Sequence, residues 1–237
     1  MERMCSLILL EIKKKKFMKS LLISMVGMIP LLMFFTGINK SIDSSRIVLS
    51  TIPYLILANG CFCLTQDFSN KTDRIIFTGI FKKWEILVSK LMSLFFIGLS
   101  YIVFYEIVLI LYNLYINKDI SNFISFSGVL NNIYTVIIYT FTLGCFMLMV
   151  SVCIKNTIFT GIITYVCFFG LTLVVFSQIL SSNKGEVLKS IIRNSPFYIL
   201  NTGFNSLKYN FNQSIIMVIG GVIFLSLACV IINKKNI

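Results

Sequence analysis

The sequence predicts an all-α membrane protein of six transmembrane helices, with both termini on the cytoplasmic side, forming a single domain over residues 1–237. Three observations predict it. Hydrophobic residues make up 57% of the chain and charged residues 13%, where a soluble domain has about a quarter charged, so polar surface is too scarce to coat a water-soluble globule. The mean hydropathy is +0.90. The charges also gather between long uncharged windows, and a bilayer core about 30 Å thick needs about 20 apolar helical residues to cross it.

The windows place the spans in order. Residues 20–39 and 47–66 carry no charge, and between Lys90 and Lys118 the only charge is Glu106. Residues 120–154, 156–183 and 209–233 are uncharged as well. Six helices follow, at 20–38, 47–65, 88–115, 129–153, 157–179 and 214–232. Lipid offers no partner to an open strand edge, so each crossing has to be helical. Lys13 to Lys16 resemble the charged start of a signal peptide, but the apolar stretch is too long and no small-residue cleavage site follows it. An uncleaved span is expected there.

Orientation comes from the basic residues. With the N-terminus inside, the inner side receives twice as many of the 21 Lys and Arg as the outer side, among them Lys13 to Lys16, Lys71, Arg74, Lys82, Lys83, Lys90, Lys155 and Lys234. The same excess explains the formal charge of +12 without nucleic acid.

Three segments lie outside the spans. Residues 2–16 put Met4, Leu7, Ile8 and Ile12 near helical spacing, with Arg3, Glu11 and the lysines elsewhere, as in an interfacial helix along the inner leaflet. The inner loop from Asp67 to Lys90 is too charged for lipid and too apolar for free solution, which suits docking to a cytoplasmic partner or the interface. Trp84 fits an interfacial anchor at the entrance to the third span. The outer segment from Ser181 to Gln213 is far longer than a helix connection needs. Within it Glu186 to Arg193 form a short amphipathic pattern, Pro196 stops it, and Phe197, Tyr198, Phe204, Tyr209 and Phe211 suggest re-entry into the outer leaflet.

The chemistry the chain excludes is informative. It contains no His, so Ser-His-Asp and Cys-His catalysis and His-ligated zinc or haem are ruled out. Neither GxSxG nor a pair of intramembrane aspartates occurs, and no enzymatic or metal site is expected. Cys61, Cys145, Cys153, Cys167 and Cys229 fall in or at the ends of apolar spans and read as small buried hydrophobes. Gly98, Gly144, Gly161, Gly170, Gly220 and Gly221 are expected to let helices pack closely. Glu106 is an acidic residue inside a span, which makes it a candidate for a transport path. A secondary transporter or channel built on Glu106 is therefore the alternative reading. One Glu and a proline at Pro30 supply little of the ionisable and broken-helix equipment that such a protein uses.

The inner loop carries a recognisable pattern. Thr72, Asp73 and Arg74 are followed by the apolar triplet Ile75, Ile76 and Phe77, then Thr78, Lys83, Glu85, Ile86, Ser89 and Lys90. This resembles the loop after the second span in membrane subunits of type-2 ABC transporters, the exporter-type permeases. Gly79 and Ile80 stand where Leu-Pro is common in that family, and Lys82 stands for Ser, so the geometry of the element departs from the usual one. Leu10 to Lys14 and Ser195 to Tyr198 are similar to two further stretches of the family. The resemblance implies a coupling helix seated on a separate ATP-binding subunit, with Thr72, Asp73, Arg74, Thr78, Lys82, Lys83, Glu85 and Lys90 as coupling residues. It also implies a second permease chain, identical or a sibling. No GxxxxGK[ST] occurs, so ATP would be bound by the partner subunit and this chain needs no cofactor of its own. The small size and the Ile-, Asn- and Lys-rich composition resemble compact bacterial cell-membrane permeases that export antimicrobial peptides or give immunity to them.

Overall fold

The computed structural model describes residues 2–38, 43–69, 81–115, 126–182 and 185–234, and every regular element among them is an α-helix. Helix α1 covers Glu2–Ile12, α2 Lys15–Ile38 and α3 Asp43–Ser69. Helices α4 (Lys83–Tyr115) and α5 (Phe126–Ile154) follow. Next come α6 (Thr157–Phe168), α7 (Leu171–Ser181), α8 (Glu186–Arg193), α9 (Pro196–Asn205) and α10 (Phe211–Lys234).

Among the described residues four stretches are long and apolar enough to cross a membrane: Lys83–Val108, Ser127–Ile154, Thr157–Ser181 and Phe211–Lys234. These correspond to the last four expected spans. The first two expected spans are also helical, in α2 and α3. Met18–Pro30 is a shorter apolar piece, and α3 is diluted by Asn59, Thr65, Gln66 and Asp67. Both contain a proline, Pro30 and Pro53. A proline inside a helix leaves one carbonyl without its usual donor, a defect that helix neighbours make tolerable in lipid.

Side-chain contacts fix the direction of each helix. Lys14 meets Asp67, and Ser24, further along α2, meets Tyr101 and Asn59. Helices α2 and α3 therefore run antiparallel, while α4 runs with α2. Gly98 faces Thr140 and Gly144 faces Leu94, so α5 runs against α4. The Thr142 hydroxyl donates to the Met217 carbonyl at 3.0 Å, and the Phe146 and Phe224 rings lie 5.2 Å apart edge to face, so α10 runs with α5. One end of the bundle thus gathers the start of α2, the end of α3, the starts of α4 and α6, and the ends of α5 and α10.

The core lies along α4 and α5. A side chain at Gly144 would strike Leu94 and Leu91, and one at Gly98 would strike Thr140. Close approach of these two helices therefore depends on the missing Cβ atoms, as the sequence suggests. By contrast α10 leaves Ile219, Val222, Ile223 and Val230 exposed, and α6–α7 leave Ile158, Phe159, Leu171 and Val174 exposed. Such apolar outer faces suit lipid and would be a liability in water.

The structure corrects three expectations. The fifth expected span, 157–179, is broken at Phe169 and Gly170 into α6 and α7. Gly170 accordingly marks the break, with a φ of −89° and ψ of −120° that end one helix before the next begins. The carbonyls stranded there find side-chain donors: the Thr172 hydroxyl reaches Val166 O at 2.9 Å and Cys167 O at 2.5 Å, and Asn201 Nδ2 from α9 donates to Phe168 O. The second correction concerns Pro196. Helix α8 ends at Arg193, before the proline, as expected, but Pro196 also opens a new helix, occupying its first turn where the missing N–H costs nothing. The third concerns Glu11, which lies on the buried face of α1 with Leu7 and not among the outward polar residues.

Candidate functional site

The densest chemistry lies at the end of the bundle where α1 stops, α3 stops and α4 begins. Helix α1 ends where Lys13 N donates to Leu9 O at 2.9 Å, and the chain turns into α2 within a few residues. That turn sets Glu11 and Lys14 side by side, 2.8 Å apart. Lys14 Nζ also donates to both carboxylate oxygens of Asp67, at 2.9 and 3.1 Å. Lys90 Nζ, about two turns inside α4 and fully buried, hydrogen-bonds to Asp67 Oδ2 and lies 3.7 Å from Glu11 Oε1. Two carboxylates and two ammoniums therefore close a network of zero net charge.

Burial alone would drive Asp67 toward its neutral form. The Lys90 charge and the hydrogen bonds from Lys14 and Lys90 outweigh that and hold its carboxyl below the ordinary value. For Lys14 burial likewise opposes the charge, but Glu11 and the hydrogen bonds to Asp67 and Glu11 raise its ammonium above the ordinary lysine value. The Asp67 and Lys14 charges are thus kept in place by their neighbours. A set of this kind contributes less to net stability than its bond count suggests, yet removal of one member leaves an uncompensated charge in a dry site.

The residues expected to couple to a partner separate on inspection. Thr72, Asp73, Arg74 and Thr78 lie outside the described residues. Lys90 does not present a docking surface, because its side chain has no exposure and is held within the ionic network. Glu85 turns back on its own helix: its Oε2 accepts from Lys82 N at 2.9 Å, capping the first turn of α4 where a negative charge is favoured. Lys83 Nζ donates to Ile232 O at 3.1 Å, satisfying a carbonyl in the last turn of α10 where a cation suits the helix dipole. Lys82 and Trp84 are exposed. Glu11, Lys14 and Asp67 were not among the expected site residues. The signal for them is slight, charges of opposite sign bordering apolar windows with nothing in the spacing to say which meet.

Higher in the bundle Asn59 of α3 forms a polar knot with Ser20, Ser24 and Tyr101, its Nδ2 donating to Tyr101 Oη at 2.6 Å and to Leu55 O at 3.1 Å. Toward the opposite end, Asn132 Nδ2 donates to Glu106 Oε1 at 2.6 Å, joining α5 to α4. Glu106 is therefore partly buried and partnered by a neutral amide. At that opposite end Thr202, Gly203, Ser206, Lys208, Asn210 and Gln213 line an open polar cleft of about 340 Å³ between α9 and α10. Among the described residues no three of His, Cys, Asp and Glu are placed to hold a metal ion.

The chain matches no protein-family model and no curated protein.

Proposed function

We propose that the chain is a membrane-spanning subunit of an ATP-driven exporter, passing force from a separate ATP-hydrolysing subunit to a bundle of six spans with both termini inside. The observation that carries this reading is the Glu11–Lys14–Asp67–Lys90 network. Residues 70–80, which hold most of the family-like loop, are bracketed by the end of α3 and the start of α4. The network ties those two ends to one another and to α1. A load applied to the loop would reach three helices at once without being lost in a slack joint. The mixed apolar and charged loop sequence supplies the docking chemistry, with Asp73, Arg74 and Lys82 as contacts. ATP would bias the two arrangements of the bundle by binding them unequally, which any ligand-driven change requires. Antimicrobial-peptide export or immunity is the cargo class suggested by the resemblance and the compact size.

The test is purification of the tagged chain in mild detergent after expression with its native gene neighbours. An ATPase subunit should co-purify in stoichiometric amount, and Asp73→Ala with Arg74→Ala and Lys82→Ala should release it while the permease stays folded. A chain that purifies alone under the same conditions defeats the reading. A secondary transporter built on Glu106 would then take its place, favoured by the Asn132–Glu106 pair between α4 and α5.

A further inference from the structure

The polar cleft at the start of α10 is rich in hydrogen-bond donors that the protein does not use. Its volume is about 340 Å³, within the range of small-ligand sites. The hydroxyl protons there are spent inward: Thr202 Oγ1 donates to Tyr198 O at 3.1 Å and Ser206 Oγ to Thr202 O at 3.1 Å. Gln213 Oε1 accepts from Asn210 N at 3.0 Å, which leaves its amide nitrogen as a donor. Among the described residues Lys208 Nζ, Asn210 Nδ2 and Gln213 Nε2 have no hydrogen-bond or ion-pair partner. No carboxylate lines the cleft. The first N–H groups of α10 lack intrahelical acceptors and put the positive end of that helix in the same place. One cation, two amide nitrogens and a helix start together call for an anion with several acceptor oxygens.

The position of the cleft narrows the choice of anion. Helix α10, Phe211–Lys234, is long and apolar enough to cross a membrane, so its first turn lies where such a span leaves the hydrocarbon and lipid phosphates begin. Immediately beyond Asn210 an apolar row starts: Phe211, Ile215, Ile219, Ile223 and Leu227, each four residues from the last, are all exposed. Residues four apart are neighbours on a helix surface, so the row is continuous. It runs roughly 24 Å at 1.5 Å per residue, more than half the thickness of a bilayer core of about 30 Å. A free anion would use the cleft and leave the row without an occupant. A phospholipid has a phosphate for the first and an acyl chain for the second. A choline headgroup would bring its own cation toward Lys208 and be repelled, whereas a glycerol headgroup brings none and offers hydroxyls to the same groups.

We infer that Lys208, Asn210 and Gln213 bind the phosphate of an anionic phospholipid whose acyl chain lies along the Phe211–Leu227 row of α10. The site is independent of what the protein transports.

The test uses the full-length chain in phosphatidylcholine nanodiscs. Trp84 is the only tryptophan in the sequence, so Trp84→Phe with Phe211→Trp leaves one fluorophore, at the head of the row. Phosphatidylglycerol brominated on its acyl chain should quench it with an apparent affinity about fivefold above that of equally brominated phosphatidylcholine, the gain from one lysine facing an anionic lipid. Adding Lys208→Ala and Gln213→Ala should abolish the preference, while Lys19→Ala, an equal loss of charge at the other end of the bundle, should keep it. Equal quenching by the two lipids overturns the inference, as does a preference that survives the cleft variant. Quenching by neither overturns it too, because the row is then covered by protein, for instance a second copy of this chain. A preference erased by inorganic phosphate assigns the cleft to the free ion and not to a lipid. Should a variant fail to fold, native mass spectrometry of the unaltered chain with equimolar phosphatidylglycerol and phosphatidylcholine decides: preferential retention of phosphatidylglycerol supports the site, and no preference overturns it.

Discussion

Lys90 shows how far a residue's meaning depends on what faces it. In the sequence it closes a basic, loop-like stretch and reads as a surface contact; in the structure it has no exposure and holds Asp67 and Glu11. Lys90→Met should therefore cost about 3–5 kcal/mol in stability, the range for stripping one partner from a buried charge set. Thermal unfolding in detergent measures it. Lys90→Met combined with Asp67→Leu should recover a large part of the loss, because Glu11 and Lys14 then remain as a balanced pair; a double variant no better than the single would show that packing, and not charge balance, governs the site. The pH dependence has a definite sign. The Asp67 carboxyl is held below its ordinary value, so its contribution is complete above the ordinary carboxylate range and is lost as pH falls through the depressed value. The Lys14 ammonium is raised, so its contribution is complete below the ordinary lysine range and is lost as pH rises through the raised value. Wild-type stability from this network should be flat across neutral pH and fall at both extremes, and Lys14→Met should remove the alkaline limb.

At the scale of elements, the break between α6 and α7 is the feature that composition conceals. Residues 157–179 form one uncharged apolar stretch, and Gly170 resembles the packing glycines of the other spans. What ends the helix there is the set of side chains that donate to its stranded carbonyls, Thr172 from α7 and Asn201 from α9. Asn201→Leu should destabilise the joint by about 1–3 kcal/mol, the cost of leaving a buried carbonyl unpaired. It should also raise amide hydrogen exchange in 165–173 while leaving α4 and α5 protected. Uniform loss of protection across the bundle would show that Asn201 supports the whole fold and not the joint. Helix α8, by contrast, was legible, because eight residues with apolar and charged positions segregated at helical spacing leave little choice of conformation. Helix α9 was not, since Pro196 reads equally as a stop and as a first-turn residue.

For the whole molecule, the contacts that set helix direction bring Lys14, Asp67, Lys83, Lys90 and the last turn of α10 to one end. We propose from the basic-residue bias that this end faces the cytoplasm. In fusion experiments a fluorescent protein joined after Lys234 should fluoresce, an alkaline phosphatase joined there should be inactive, and a phosphatase joined after Gly185 should be active. Activity at Lys234 would invert the assignment, and activity at both sites would remove a crossing between them.

The sequence by itself determined that the chain is helical and apolar enough to cross a membrane, where its apolar stretches lie and which chemistries it lacks. Those properties follow from composition and from windows of about 20 residues, which report the cost of moving each segment into lipid. Only the tertiary structure decided that Glu11, Lys14, Asp67 and Lys90 form one network, that Glu85 and Lys83 cap helices, and that the fifth apolar stretch is two helices. Apart from the local Glu11–Lys14 and Lys82–Glu85 contacts, these are pairings between residues 23 to 149 positions apart, or carbonyls rescued from another helix. No local periodicity encodes them, because a charge or a hydroxyl in a span is stable wherever any suitable partner meets it, and packing chooses the partner.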